Sequence, residues 1–235
     1  MKKIFLFLGI VLSSLNILHA QNPADSFYPF KEGSTWELSS FNAKGNPTGR
    51  NVYTITKVIS SGKTYTASVH STSFNEKDKE LSNSDYDVVF SNGDIHIDMK
   101  SMITNEQQQQ FKDMTMNIEG NDLIIPKSLT VGQVLANGDM KANVYSGSTL
   151  FSTISYVSSE RKVLAKESVT TPAGTFDAYK VTSKINSVTT TMGIPIKFEF
   201  TVIEWYAYGN GAVRSEVYNK SGKLVSYSVL SKITN

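Results

Sequence analysis

The stretch KTYTASVH, residues 63–70, alternates without a break. Tyr65, Ala67 and Val69 share one face, and Thr64, Thr66, Ser68 and His70 share the other. A period of two marks a half-buried β-strand. The pattern recurs along the chain in NVYTITKV, TLFSTISYV, FDAYKVTSKI, IKFEFTVIEWYAY and LVSYSVL, all rich in Thr, Val, Ile and aromatic residues, as strands are. Between such runs stand SSGK, SNGD, ANGD, PAGT, GNGA and KSGK. Short Gly-containing turns join antiparallel neighbours, so the expected fold is all-β, with mainly antiparallel curved sheets forming a barrel-like or sandwich structure. The one helical candidate is MITNEQQQQFK, Met102–Lys112, a polar surface segment.

Residues 1–20 stand apart. Lys2 and Lys3 precede an apolar run, Ile4–Leu15, and Ala20 closes a plausible cleavage site. This is the pattern of a secretory signal peptide, and the run is too short and interrupted for a membrane span. The expected mature chain begins near Gln21, is periplasmic or secreted, and keeps no stable membrane span. Removing the two signal lysines from 23 basic residues leaves a mature chain balanced against its 21 acidic ones. That balance gives no basic face for nucleic acid. There is no Cys, which excludes disulfides, thiolate metal sites and cysteine nucleophiles, so the fold must be held by burial. Residues 21–235 are long enough for one sizeable core, and nothing in them resembles a linker.

Three landmarks occur twice in the same order. YPFKEGSTWEL is echoed by IPKSLTVGQVL (Gly33 and Gly132), GKTYTASV by AGTFDAYKV (Thr64 and Thr175), and SNGDIHID by GNGAVRSE (Gly93 and Gly211). The expectation is a single domain of two pseudo-repeats, about 27–120 and 121–235.

YPFKEGSTWEL, ESVTTPAGTFDAYKV and EWYAYGNGAVRSEVYNKSGKL together resemble exported Bacteroidetes proteins grouped with domain of unknown function 3108, sometimes called TapB-like. The resemblance covers nearly all of the mature chain. It implies an exported, mainly antiparallel β-protein and transfers no catalytic or ligand residue.

The chemistry-bearing residues are few. In SNGDIHID a strand would place Asp94, His96 and Asp98 on one face. Three donors in a row, about 7 Å apart per step, do not converge on one ion without help from another strand. The echo of these positions, Ala212, Arg214 and Glu216, repeats the turn and not the ligands, so no metal site is expected. There is no G-x-S-x-G, P-loop or dinucleotide fingerprint, and the only histidines after the signal are His70 and His96. Glu199 and Glu204 fall on opposite faces of a strand, a poor start for a glycosidase pair. No catalytic residue and no cofactor is expected, and the inventory weighs against an enzyme.

IKFEFTVIEWYAY is the most informative stretch. One face carries Ile196, Phe198, Phe200, Val202, Glu204, Tyr206 and Tyr208. Such a stripe reads either as core between sheets or as one wall of an apolar cavity, with Phe198, Phe200, Tyr206 and Tyr208 as the ligand-binding candidates. Glu204 is the one charge on that face. If the face is buried, the carboxylate needs a partner. The expected partner is Arg214, reached across the YGNG turn, with the Tyr206 or Tyr208 hydroxyl as fallback. Two functions remain open from these residues. One is an exported non-catalytic envelope protein that binds an apolar or amphipathic small molecule. The other is a structural or interaction module that meets an envelope protein and takes no small ligand.

Overall fold

The computed structural model describes residues 26–103 and 109–234. The signal peptide lies outside the described residues, as does the middle of the helical candidate. Near the latter the described residues hold a short 3-10 turn, Met99–Met102, capped by the Asp98 side chain.

Among the described residues thirteen strands follow one another: β1 (Thr35–Asn42), β2 (Pro47–Ser61), β3 (Thr64–Asn75), β4 (Glu80–Ser91), β5 (Asp94–Ile97), β6 (Thr115–Asn121), β7 (Leu123–Ile125), β8 (Gly138–Ser146), β9 (Thr149–Thr171), β10 (Gly174–Thr191), β11 (Ile194–Ala207), β12 (Gly211–Asn219) and β13 (Leu224–Thr234). They form one antiparallel sheet in the order β6-β8-β9-β10-β11-β12-β13-β1-β2-β3-β4-β5-β7. The two ends of that order, β6 and β7, are separated in the chain by Asp122 alone. One interrupted strand thus pairs first with β8 and then with β5, and the sheet curls into a nearly closed barrel.

Local chemistry sets the hairpins. Three of them, β1–β2, β3–β4 and β12–β13, use the same device. Asn42, Asn75 and Asn219 each accept two backbone N–H bonds on Oδ1, two and four residues on. The fourth residue of each turn, Gly45, Asp78 or Gly222, takes a positive φ of 81°, 57° or 75°. This is a type I turn closed by a left-handed residue, and the adjoining ladders carry the register shift that such loops impose. SSGK, SNGD, PAGT, GNGA and KSGK all lie at hairpins, whereas ANGD does not. ANGD leads into β8, where Gly138 meets the barrel seam. A Cβ on Gly138 would sit 3.1 Å from the Leu123 backbone of β7.

A second device recurs once in each half. Gly33 N–H donates to Ile55 O, and Gly132 N–H donates to Val163 O, each at the mouth of a turn that crosses a bulged strand. Ile55 and Val163 are both fully buried.

The alternating faces build the main core. Ala67, Val69, Val88, Ile95, Ile125, Val163, Val181 and Leu230 point inward from strands around the barrel. Each such side chain contributes about 1.5–3 kcal/mol by leaving water. A smaller cluster, Met99, Ile103, Phe111, Met140, Ala142, Val144 and Ile154, packs under the 3-10 turn near the seam. Phe27 and Tyr28 cover one end of the barrel. Gly209 and Gly211 N–H groups hold that segment by donating to Ser26 O and Phe27 O, both at 2.7 Å.

Candidate ligand-binding cavity

Packing does not fill the barrel. Two cavities, of about 360 and 140 Å³, lie side by side and share Leu123 and Glu204 in their walls. The larger falls within the usual range for ligand pockets, about 300–1,000 Å³. Its wall is aromatic because inward positions of β1, β2, β4 and β11, with the end-covering segment, carry Trp36, Tyr53, Tyr86, Tyr206, Phe27 and Tyr28. Trp36 stacks on Tyr53 at 5.2 Å, and Tyr28 meets Trp36 edge-on at 5.5 Å.

Glu204 is exposed only toward these cavities. Its Oε2 accepts a 2.7 Å bond from Tyr206 Oη. Burial pushes its pKa up, while that bond and the more distant Arg161 pull the other way. Burial likewise holds the Tyr206, Tyr28, Tyr53 and Tyr86 phenols above their ordinary range. Tyr156, in the smaller cavity, is pushed up to about 12 by burial and then by Glu204. Tyr28 is 8 % exposed, and its Oη has no hydrogen-bond partner of good geometry, the Tyr86 phenol being the polar group that acts on it. An unsatisfied buried hydroxyl costs about 1–3 kcal/mol.

Arg161 lines the smaller cavity at 2 % exposure. Its Nη1 donates to Ile124 O at 2.9 Å and to Ala136 O at 2.6 Å, tying β7 to the chain entering β8. Desolvation lowers its pKa from the usual arginine value.

The expected Glu204–Arg214 pair does not form. A bulge between Trp205 and Tyr206 leaves Tyr206 opposite Ala212 but sets Trp205, not Glu204, opposite Arg214. A one-residue slip transfers a side chain to the other face of a sheet. Arg214 therefore lies outside the barrel. It donates from Nε (3.0 Å) and Nη2 (2.6 Å) to Glu216 Oε1, and its guanidinium stands 5.5 Å from the Trp205 ring and 5.4 Å from the Tyr227 ring.

The four aromatic candidates of the β11 stripe separate. Tyr206 lines the larger cavity. Tyr208 is 43 % exposed, stacks on Phe27 at 4.1 Å and donates to Lys127 O. Phe198 and Phe200 stack on each other at the far end of β11, beyond the cavity, and Phe198 is 53 % exposed. There β9, β10 and β11, with β8 and β6 continuing the sheet beyond β9, project past the last β12 pairing as an arm whose tip exposes Leu150, Met192, Ile194 and Ile196.

Asp94, His96 and Asp98 each have separate work. Asp94 Oδ1 accepts from Lys127 N, His96 Nδ1 faces Asp122 at 3.5 Å, and Asp98 caps the 3-10 turn. Among the described residues no group of three or more His, Asp or Glu converges at metal-binding distances. His70 is paired with Asp85 at 2.8 Å on the outer surface. A wider cleft of about 530 Å³ between β4 and β6 is walled in part by exposed Asp85 and Asp87, and among the described residues no unpartnered buried polar atom lies in it.

Sequence reasoning missed Tyr28, Trp36, Tyr53, Tyr86 and Arg161. The aromatic density of SFYPF and the even spacing of Tyr53 with Ile55 were available signals. Arg161 sits in SSERKVL, where nothing separates a buried arginine from a surface charge.

A nearly closed antiparallel barrel with an aromatic, acid-bearing interior is the class that fold and site define. The chain belongs to the DUF3108-like family, whose model matches residues 31–230. Two solved structures share the fold. A Bacteroides fragilis protein described as exported and of YmcC-like fold superposes with a TM-score of 0.70 at 23 % identity, over 89 % of this chain and 99 % of that one. A Parabacteroides distasonis protein described as a lipoprotein gives 0.68 at 24 % identity, over 89 % and 98 %. No curated protein matches.

Proposed function

We propose that this is an exported, non-catalytic envelope protein that holds an apolar or amphipathic small molecule inside its barrel. The observation that carries the reading is the larger cavity, walled by Phe27, Tyr28, Trp36, Tyr53, Tyr86 and Tyr206 around one carboxylate. A hydroxyl that the protein itself pairs only poorly, beside an apolar wall, is the arrangement that a bound amphiphile satisfies. The signal-like residues 1–20, and relatives described as exported or as a lipoprotein, support an envelope location. The test is mass spectrometry of solvent extracts from protein purified under native conditions from two unrelated hosts. A reproducible compound near one per chain supports the reading. Clean protein from both hosts would sink it.

The second reading, an interaction module, is favoured by the projecting arm and its exposed Leu150, Met192, Ile194, Ile196 and Phe198. Clean extracts together with cross-links from that arm to an envelope protein would establish it. We also infer that 27–120 and 121–235 are copies of one meander, a reading supported by the Gly33–Ile55 and Gly132–Val163 contacts. A superposition that failed to bring Gly93 onto Gly211 and Thr64 onto Thr175 would end it.

A further inference from the structure

We infer that the larger cavity receives the ammonium head of a cationic amphiphile, with Glu204 as its counter-ion and Tyr28, Trp36, Tyr53 and Tyr86 as its aromatic wall. This rests on the ligand-binding reading and names the chemistry of the head group.

Three observations converge. First, the lining contains one carboxylate and no Lys, Arg or His. Second, Glu204 has no ion pair among the described residues, and its one hydrogen bond comes from Tyr206. Arg161 shares the wall of the smaller cavity with Glu204 and acts on it through space, but it makes no ion pair with it and gives Nη1 to two carbonyls. Third, the wall is crowded with aromatic rings, Trp36 stacked on Tyr53 and Tyr28 set edge-on to Trp36. Trp36 and Tyr53 lie nearly parallel, 11° apart, and Tyr28 stands at 88° to Trp36. Ring faces attract ammonium groups, most strongly where water is excluded. A buried carboxylate is costly until a cation reaches it.

The same geometry selects against other heads. A fatty-acid carboxylate would meet Glu204 as a like charge. An alcohol could bond to the Tyr28 hydroxyl, but it would leave the carboxylate without a cation.

The experiment compares three probes of one chain length, octyltrimethylammonium, octanol and octanoate, each below its micelle concentration. Affinity is read by calorimetry and by Trp fluorescence. The cation should bind about tenfold or more tighter than the alcohol, and octanoate should bind weakest. Glu204→Gln should bring the cation to within about threefold of the alcohol while leaving the alcohol's affinity unchanged. Phe198→Ser, on the exposed arm, should change none of the three. If alcohol and cation bind alike and Glu204→Gln alters neither, the head-group assignment falls and the cavity reading stands. Loss of cation binding in Phe198→Ser would place the amphiphile on the arm and overturn the inference. If none of the probes binds, the ligand-binding reading falls with it.

Discussion

Glu204 and Glu216 lie on neighbouring strands, and their carboxyls are pushed in opposite directions. Glu204 faces the barrel interior, where burial raises its pKa and one phenol is its bonded partner. Glu216 faces outward, and its side chain is still only 13 % exposed. There burial also acts upward, but the Tyr218 hydroxyl and the Arg214 guanidinium outweigh it and hold the pKa below the usual range. Burial acts upward on both but is much deeper at Glu204, so the sign is set by depth of burial together with the donors. Two charge-assisted bonds from an arginine and one from a phenol offset the loss of water; one phenol alone does not. The outer site is a finished structural device, continued by Lys180 over the opposite side of Trp205 and by the Trp205 Nε1–H bond to Glu167. The inner site is left with a carboxyl whose bonded partner is one phenol, with Arg161 acting on it only through space.

The largest expected effect tests whether the interior has any charge balance of its own. Arg161→Met should destabilise the protein by about 2–4 kcal/mol, because two backbone carbonyls at the seam lose a charged donor. Denaturant unfolding measures it, and a loss under about 1 kcal/mol would mean that the seam is held otherwise. Next comes the outer site. Arg214→Ala should cost about 1.5–3 kcal/mol at neutral pH, stranding Glu216 and uncovering Trp205. Since the Glu216 pKa is depressed when folded, its contribution is present above the ordinary carboxylate range and is lost as pH falls through the depressed value. The difference between wild type and Arg214→Ala should therefore shrink in acid.

Glu204 should behave in the reverse sense. Its pKa is raised, so the ligand-free protein is most stable when the carboxyl is protonated, and that stability is lost as pH rises through the raised value. Glu204→Gln should stabilise the apoprotein by about 1 kcal/mol at neutral pH, with the gain vanishing near the ordinary carboxylate range. Thermal melts at a series of pH values decide it, and a destabilised variant at neutral pH would show that Glu204 has found a cation. The smallest effect is the sharpest on geometry. Glu204→Gln and Arg214→Ala should add to within roughly 0.5 kcal/mol in the double mutant. A larger coupling would return these two residues to one face.

Much of the fold was legible because its information is local. Tyr65, Ala67 and Val69 alternate in the sequence and all three pack inward in β3. Five of the six Gly-containing turns fall at hairpins. The exception, ANGD, has hairpin composition, but its glycine is needed for close approach to Leu123 across the seam, a demand set by a distant strand. The cavity was half legible. The β11 stripe pointed to the right face, and Glu204 was its conspicuous charge. Nothing in the stripe marks where the barrel ends, so Phe198 and Phe200 on the projecting arm looked the same as Tyr206 over the cavity.

The sequence by itself determined the alternation, the turns, and therefore an antiparallel all-β chain with an acid among aromatics. Period two and turn chemistry depend on neighbours a few residues apart. Only the tertiary structure decided which partner each acid received. Unbroken pairing back from Tyr206 and Ala212 would have placed Arg214 directly opposite Glu204. The bulge beside Val213 moves it one step, opposite Trp205. One extra residue in one strand reverses the face of everything beyond it, because the side-chain period is two. That single shift sends the arginine outward to Glu216 and leaves Glu204 facing the cavity with Tyr206.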